Sequence, residues 1–298
     1  MAVTAAMVKE LREMTGAGMM DCKKALVECD GDIDKAVDYL KEKGLAKAAK
    51  KAGRVAAEGL VKIAFSDDCK TAALVEVNSE TDFVSKNEEF VAFVEGLAKL
   101  ALTAETNDIE AFKAMAYEDS TVAEVLTAKI AKIGENMSIR RIEKVSGDVI
   151  ASYVHGGGRI GVLVEAEGSL ADEAAYEAAR DAAMQIAAIN PLYLSQETVP
   201  QEDIEKEKGI LMAQIKEDPK NASKPDAIIE KMMGGKINKF FEQNCLLQQE
   251  FVKDSDQKVG KYLESKGVKL INFVRFEKGE GLEKKEENFA DEVASMMK

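Results

Sequence analysis

Through the first forty or so residues, apolar positions recur three and four apart. Met7, Val8 and Leu11 share one helix face, Met20, Ala25, Leu26 and Val27 a second, and Ile33, Ala36, Val37 and Leu40 a third. Gly16 and Gly18, Gly31 and Gly44 punctuate these runs, and Asp30 or Asp32 is placed to cap the third helix. Such a bundle has a thin core and calls for a neighbour or a partner surface. From residue 59 the spacing changes to alternation. GLVKIAFSDDCKTAALVEVN reads as two strands around a polar turn, and Phe90, Val91, Val94, Leu97 and Leu100 predict a helix over Glu88 to Leu102.

The same order returns 89 residues later: DVIASYVHGGGRIGVLVEAE is a second hairpin and Ala179 to Ile189 a second helix. Aligning Leu74, Val75 and Glu76 with Leu163, Val164 and Glu165 sets Val94 on Ala183 and Leu97 on Ile186. This is a duplicated hairpin-plus-helix unit, which makes the fold class α+β. Residues 104–145 read as a helical stretch ending in IAKIGENMSIRRIEKV. Residues 201–217 and 226–243 predict an antiparallel helical hairpin, with Ile204, Leu211 and Ile215 facing Ile229, Met232 or Met233, Ile237 and Phe240 or Phe241. At 1.5 Å per residue the hairpin is about 25 Å long and protrudes, either standing free or pairing with a second chain as a homodimer. VGKYLESKG reads as a helix, KLINFVRFE as a strand and EKKEENFADEVASMMK as a terminal helix.

The expected organisation is a bundle and basic linker over 1–54 and a first core unit over 55–145. A second core unit over 146–200 is interrupted by the hairpin at 201–243, resumes over 244–277 and ends in a C-terminal helical module at 278–298. The two copies differ where the second strand hands over to the helix. The first reads NSETDFVSKN from Asn78, the second EGSLADEAAY from Glu167. Copies share packing, so a difference confined to a loop points to something other than packing. Ser85 and Glu88 fit a capping box, with Val84 as a staple from outside the helix. That accounts for neither Asp82 nor the bulky Phe83 beside it. A carboxylate next to an apolar wedge suits prising apart another protein's packed elements while perturbing a cation site there.

The chain has 298 residues, 46% of them hydrophobic and 32% charged, so disorder and low complexity are excluded. Its net charge of −13 opposes non-specific binding to nucleic acid. Residues 1–54 nonetheless carry 11 basic against 9 acidic side chains, leaving 30 against 45 for the rest. Within LAKAAKKAGR, Lys47, Lys50, Lys51 and Arg54 meet no acid. A ribosome- or RNA-associated module using residues 45–54 is therefore the alternative function, though no aromatic residues interleave with these bases.

Four cysteines form no CxxC pair and His155 is the sole histidine, so no metal site and no cofactor are expected. No stretch approaches eighteen apolar residues, which points to a cytoplasmic chain with reduced thiols and no membrane contact. Gly156, Gly158 and Gly161 satisfy GxGxxG, but a strand follows instead of a helix, and a glycine-rich hairpin turn is the better reading. HGGG has no GxSxG elbow to serve, and no GxxxxGK[ST] phosphate loop exists. With no acid, base and nucleophile gathered, the chain is not expected to be an enzyme.

Two segments are specific. LREMTGAGMMDCKKAL over Leu11 to Leu26 and EVNSETDFVSKN over Glu76 to Asn87 closely resemble the signature segments of the bacterial translation elongation factor Ts family. AAKKAGR, KIGENMSIRR, HGGGRIGVLV and NFVRFEKGEG are similar to further family segments, and the likeness runs from end to end. Glu250 departs from it where many members carry proline.

The resemblance implies a ubiquitin-associated-like bundle, a duplicated core, a helical hairpin and a C-terminal helical module. It also implies guanine-nucleotide exchange on elongation factor Tu, in its GDP-bound and nucleotide-free forms. By similarity, Thr81, Asp82, Phe83 and Val84 insert beside the partner's switch region and dislodge the Mg²⁺ that holds GDP. Arg12, Met19 and Met20 would dock on its GTPase domain, His155 would touch its other end, and the terminal helix would add a contact.

Overall fold

The computed structural model describes residues 3–168, 172–218 and 224–283. Three helices open it: α1 (Ala5–Thr15), α2 (Met19–Glu28) and α3 (Ile33–Ala49). Thr4 caps α1 by accepting from the Met7 N–H, and Asp32 caps α3 by accepting from Lys35 N–H. Val8, Leu11, Cys22, Ala25, Leu26 and Ala36 form the small core. The stripe expected on α2 is thus rotated: Cys22 replaces Met20 and Val27, which both face solvent. Gly44 does not end α3. It is buried where the helix crosses α7 (Val122–Ile133), where an added Cβ would stand 3.7 Å from the Ala131 methyl. The basic stretch therefore begins as helix, and α3 ties the bundle to the core.

Two three-stranded antiparallel sheets follow. β1 (Glu58–Phe65), β2 (Thr71–Ser79) and β5 (Met137–Ser146) lie in the order β1-β2-β5. β6 (Val149–His155), β7 (Ile160–Glu167) and β10 (Lys269–Glu277) lie in the order β10-β7-β6. The short α4 (Asp82–Ser85) leads to α5 (Glu88–Ala101), which covers the first sheet together with α7 and α6 (Ile109–Ala114). β3 (Ala116–Tyr117) and β4 (Ser120–Thr121) form a minimal hairpin before α7. α8 (Glu173–Ile189) and α11 (Val259–Ser265) cover the second sheet, beside the small β8 (Glu250–Phe251) and β9 (Asp254–Lys258) ribbon.

The inner faces of the two sheets pack on each other through Val61, Ala72, Leu74, Val145, Ile150, Leu163 and Phe276. The layers thus run helix, sheet, sheet, helix. Alternation assigns the faces: Ala73, Val75 and Val77 point to the helices of the first copy, Ala72 and Leu74 to the opposite sheet. At Gly161 the sheets pack too closely for a side chain, since a Cβ there would lie 2.6 Å from Val61 Cγ1 and 2.8 Å from Leu74 Cδ1.

The duplication extends beyond the sequence match. Phe90, Phe93, Val94, Leu97 and Ala98 are buried on α5, and the positions 89 later, Ala179, Ala182, Ala183, Ile186 and Ala187, are buried on α8. The third strands correspond as well. The register slips between Glu76↔Arg141 and Val77↔Ile139 in one sheet, and between Glu165↔Asn272 and Ala166↔Leu270 in the other. Each copy has a β-bulge at the equivalent place, with Arg140 or Ile271 as the extra residue.

This bulge corrects the expected helix over 104–145. α7 stops at Gly134, whose φ of 91° is open to glycine, and Met137–Ser146 is a strand. The extra residue stretches the spacing of Ile139 and Ile142 to three, and Val145 on the opposite face follows three later, imitating a helix. The helical hairpin forms as α9 (Gln201–Glu217) and α10 (Asp226–Asn244). Leu211 and Ile215 are buried within it, and its base is tied down where the Leu192 and Tyr193 amides donate to the Asn244 carbonyl. The terminal helix expected from EKKEENFADEVASMMK lies outside the described residues apart from its first residue, Glu283, as does most of the 278–298 module.

One charged side chain sits at the centre of this assembly. Glu76 is fully buried between the sheets. Its Oε1 accepts from Arg140 Nη1 at 3.1 Å, Asn78 Nδ2 at 3.0 Å and Gly279 N at 2.8 Å, and its Oε2 from Arg141 Nε at 2.5 Å. Removing the carboxylate leaves the partly buried Arg140 and Arg141, the Asn78 amide and the Gly279 N–H without the acceptor they share. Glu76→Ala should therefore lower stability by about 3–5 kcal/mol, read as a reduced urea midpoint with unchanged slope. Burial also pushes the Cys245 thiol up to about 11. In native protein a thiol-disulfide reagent at pH 8 should modify exposed Cys69 promptly and reach Cys245 only on unfolding.

Candidate functional site

The handover from β2 to α5 is not a loose loop. Thr81 presents its N–H and its hydroxyl to one carboxylate, donating to Glu135 Oε2 at 3.0 Å and Oε1 at 2.7 Å. Ser79 Oγ donates to the Thr81 carbonyl at 3.0 Å. Glu80 Oε1 accepts from the Asn136 N–H at 2.5 Å, and Asn136 Nδ2 donates to the Arg54 carbonyl at 2.8 Å. The turn is thus fastened to the 134–136 corner and to the chain leaving α3.

Beyond Thr81, residues Asp82–Ser85 make the single helical turn α4. Val84 is buried in the first core cluster, and Ser85 Oγ donates to the Asp82 carbonyl at 2.8 Å. The capping box expected from Ser85 and Glu88 is absent, because Ser85 still belongs to α4 and the position that enters α5 is Asn87. Asn87 caps α5 instead, its side-chain oxygen accepting from Glu89 and Phe90 N–H at 2.9 and 3.2 Å.

With Val84 pointing in, Phe83 points out: it is 79% exposed, the most exposed large apolar side chain among the described residues. Asp82 stands beside it, and Lys86 Nζ donates to its Oδ2 at 2.6 Å. That hydrogen bond holds the Asp82 carboxyl below the usual carboxylate range. The arrangement is an apolar wedge with an adjacent fixed negative charge, on a base that cannot easily swing.

The other predicted residues occupy two further places. Arg12 lies in the last turn of α1, and Met19 and Met20 begin α2, so all three gather at the α1–α2 corner. Met19 is 57% and Met20 74% exposed. His155 is exposed at the end of β6, its Nδ1 3.2 Å from Tyr153 Oη, beside a turn whose Gly158 carbonyl accepts from Val61 N–H at 2.8 Å. These are stations on a surface, with no shared cleft. Among the described residues no group of His, Cys, Asp and Glu is arranged to hold a metal ion, and no helix is long and apolar enough to cross a membrane.

Comparison with known proteins matches residues 80–280 to the family model described as Elongation factor TS, and residues 3–40 to that described as UBA/TS-N domain. The chain belongs to the elongation factor Ts family. It is 53% identical over 304 residues to elongation factor Ts of Clostridium botulinum strain Alaska E43, covering 99% of each chain. It is 54% identical over 303 residues to that of Clostridium perfringens strain SM101, and 55% over 306 residues to that of Clostridium novyi strain NT, again with 99% of each covered.

Within this elongation factor Ts fold, Glu135 and Glu80 were missed as the supports of the turn. The only available signal was GENMS, one of the segments similar to the family, whose glutamate follows a helix-stopping glycine. Replacing Lys86 with alanine should let the Asp82 carboxyl rise towards its ordinary range. Because the pair holds the pKa down, the negative charge would then be lost at a higher pH as the solution is acidified, which a carbonyl NMR titration of Asp82 measures directly.

Proposed function

We propose that this chain is a guanine-nucleotide exchange factor for elongation factor Tu, acting through Thr81–Val84. The observation that carries the reading is Phe83, held out at 79% exposure by a turn whose neighbours are buried and bonded. A solvent-facing phenyl ring on a rigid base costs little to order on binding, so its contact energy goes into displacing the partner's elements. Asp82 brings a fixed carboxylate to the same point, where it perturbs the Mg²⁺ site that ties down GDP.

Exchange makes and breaks no covalent bond, so it needs no nucleophile and no general base. It needs differential affinity: a factor that binds the nucleotide-free partner more tightly weakens the nucleotide by the same coupling free energy. Loss of Mg²⁺ leaves diphosphate charge uncompensated and releases switch contacts. Met19, Met20 and Arg12 supply a second, adaptable apolar contact with a charged edge on the GTPase domain, and His155 a third at the partner's other end. The reading based on RNA is weakened by the engagement of Lys47 with Asp21 at 3.0 Å and of Arg54 with Glu80 at 3.5 Å.

Release of a fluorescent GDP analogue from elongation factor Tu at fixed Mg²⁺ tests the proposal. The natural chain should accelerate release. Phe83→Ala and Asp82→Ala should each lose roughly tenfold or more of that acceleration, equivalent to about 1.4 kcal/mol, while still binding. No acceleration by the natural chain would sink the exchange reading. Variants as fast as the natural chain would move the work away from this turn.

A further inference from the structure

The bundle and the Thr81 turn are fastened to the same helix of the first copy. α3 packs across α7 at Gly44 and Ala131, and Lys129 and Lys132 of α7 pair with Glu89 at the start of α5, at 3.2 and 2.8 Å. α7 stops at Gly134, and the next two residues meet the turn. Glu135 accepts from both the Thr81 N–H and the Thr81 hydroxyl. The Asn136 N–H donates to Glu80, and its side chain donates to the Arg54 carbonyl at the end of the basic linker. Thr81 precedes α4 without capping it, so its hydroxyl is spent on Glu135.

The second copy has other residues at all four positions. The registers of the third strands set Glu135 on Lys266 and Asn136 on Gly267, and the 89-residue offset sets Glu80 on Ser169 and Thr81 on Leu170. A leucine side chain has no hydroxyl to donate, and a lysine side chain cannot accept. Both corners perform the same scaffold task, leading a helix into the third strand: α7 into β5, and α11 into β10. A difference confined to the corner that meets the wedge-bearing turn therefore serves that turn, not the shared packing.

We propose that Glu135 is a positioning residue for nucleotide exchange, holding Thr81 so that α7 presents the bundle and the Phe83 wedge to elongation factor Tu as one body. This role rests on the exchange reading of the same turn. Two donors on one carboxylate fix both the direction and the distance of the turn, and the charge makes each bond stronger than a neutral one. The link matters because the Met19 and Met20 contact can form whether or not the wedge is seated. With the turn held, the binding energy of the bundle helps to drive the wedge in; with the turn loose, the bundle docks and the wedge is left behind. Loosening the turn therefore lowers the maximal rate of GDP release and leaves the half-saturating concentration nearly unchanged.

Titrating GDP release from elongation factor Tu with the natural chain, Glu135→Ala, Phe83→Ala and the double variant tests it. Glu135→Ala should lose about tenfold of the maximal rate, with a half-saturating concentration within about twofold of the natural value. Added to Phe83→Ala it should cost less than about twofold more, because a residue that acts through the wedge then has nothing to position. Glu135→Gln, which keeps one acceptor oxygen, should recover part of the rate. In the protein alone, hydrogen exchange of the Thr81 amide should quicken about tenfold in Glu135→Ala while the β2 amides stay protected, as an intact fold requires. An unchanged maximal rate in Glu135→Ala would overturn the proposal. So would a full multiplicative loss in the double variant, which would make Glu135 a partner contact in its own right. No acceleration by the natural chain would remove the exchange reading and this role together, whereas acceleration lost in Phe83→Ala but kept in Glu135→Ala would remove this role alone.

Discussion

The structure depends on one buried carboxylate. Glu76 sits where the two sheets face each other, and its two oxygens are satisfied by strand β5, by its neighbour Asn78 and by the backbone that follows β10. Burying a charge is costly unless every lone pair finds a partner. That requirement forces Arg140, Arg141 and Gly279 into register together. Arg141 continues the network to Glu280 and lies 4.2 Å over the Phe276 ring, so one ion cluster spans the first copy, the second copy and the approach to the C-terminus. Gly279 must be glycine here: its φ is 69°, and a Cβ would stand 2.0 Å from the Ala57 carbonyl oxygen. β2, which carries Glu76, also leads into the candidate turn at its end, and the cluster fixes its direction.

Around that cluster the two copies meet like subunits of a fused dimer. Val61 and Ile150, Leu74 and Leu163, Val145 and Phe276 hold equivalent positions and pack in one cluster, the self-complementary pattern of a twofold interface. Fusion allowed the copies to diverge. Glu165 corresponds to Glu76, but Asn272 and Ile271 stand where the first copy has Arg141 and Arg140. The fully buried carboxylate with its two arginines belongs to the first copy, as do Asp82 and Phe83. Scaffold symmetry and this local asymmetry therefore reside in different side chains of the same architecture.

Much of the candidate site works by support. Phe83 needs Val84 in the core, Thr81 on Glu135 and Glu80 on Asn136 before it can act as a fixed wedge. At this turn the projecting side chain is backed by buried and bonded neighbours, so little ordering would be left for an encounter.

Local sequence determined a good deal by itself. Periodicities of two and 3.6 placed the hairpins, α5, α8, α9 and α10, and the 89-residue recurrence announced the duplication before any contact was known, because the same burial must be solved twice. The unmatched Asp82 and Phe83 marked the turn for the same reason. Tertiary structure alone decided the rest. A bulge at Arg140 disguised a strand as a helix, since periodicity assumes an unbroken pleat. Gly44 reads as a stop in one dimension but is a crossing point against Ala131. Asn87 took the cap from Ser85 because the extra turn of α4 keeps Ser85 within its own helix and moves the entry of α5 two residues on. Glu76 looks like one polar residue on an alternating strand. Its role appears only when arginines 64 and 65 positions away and a glycine 203 away converge on it, and spacing along a chain carries no record of such a meeting.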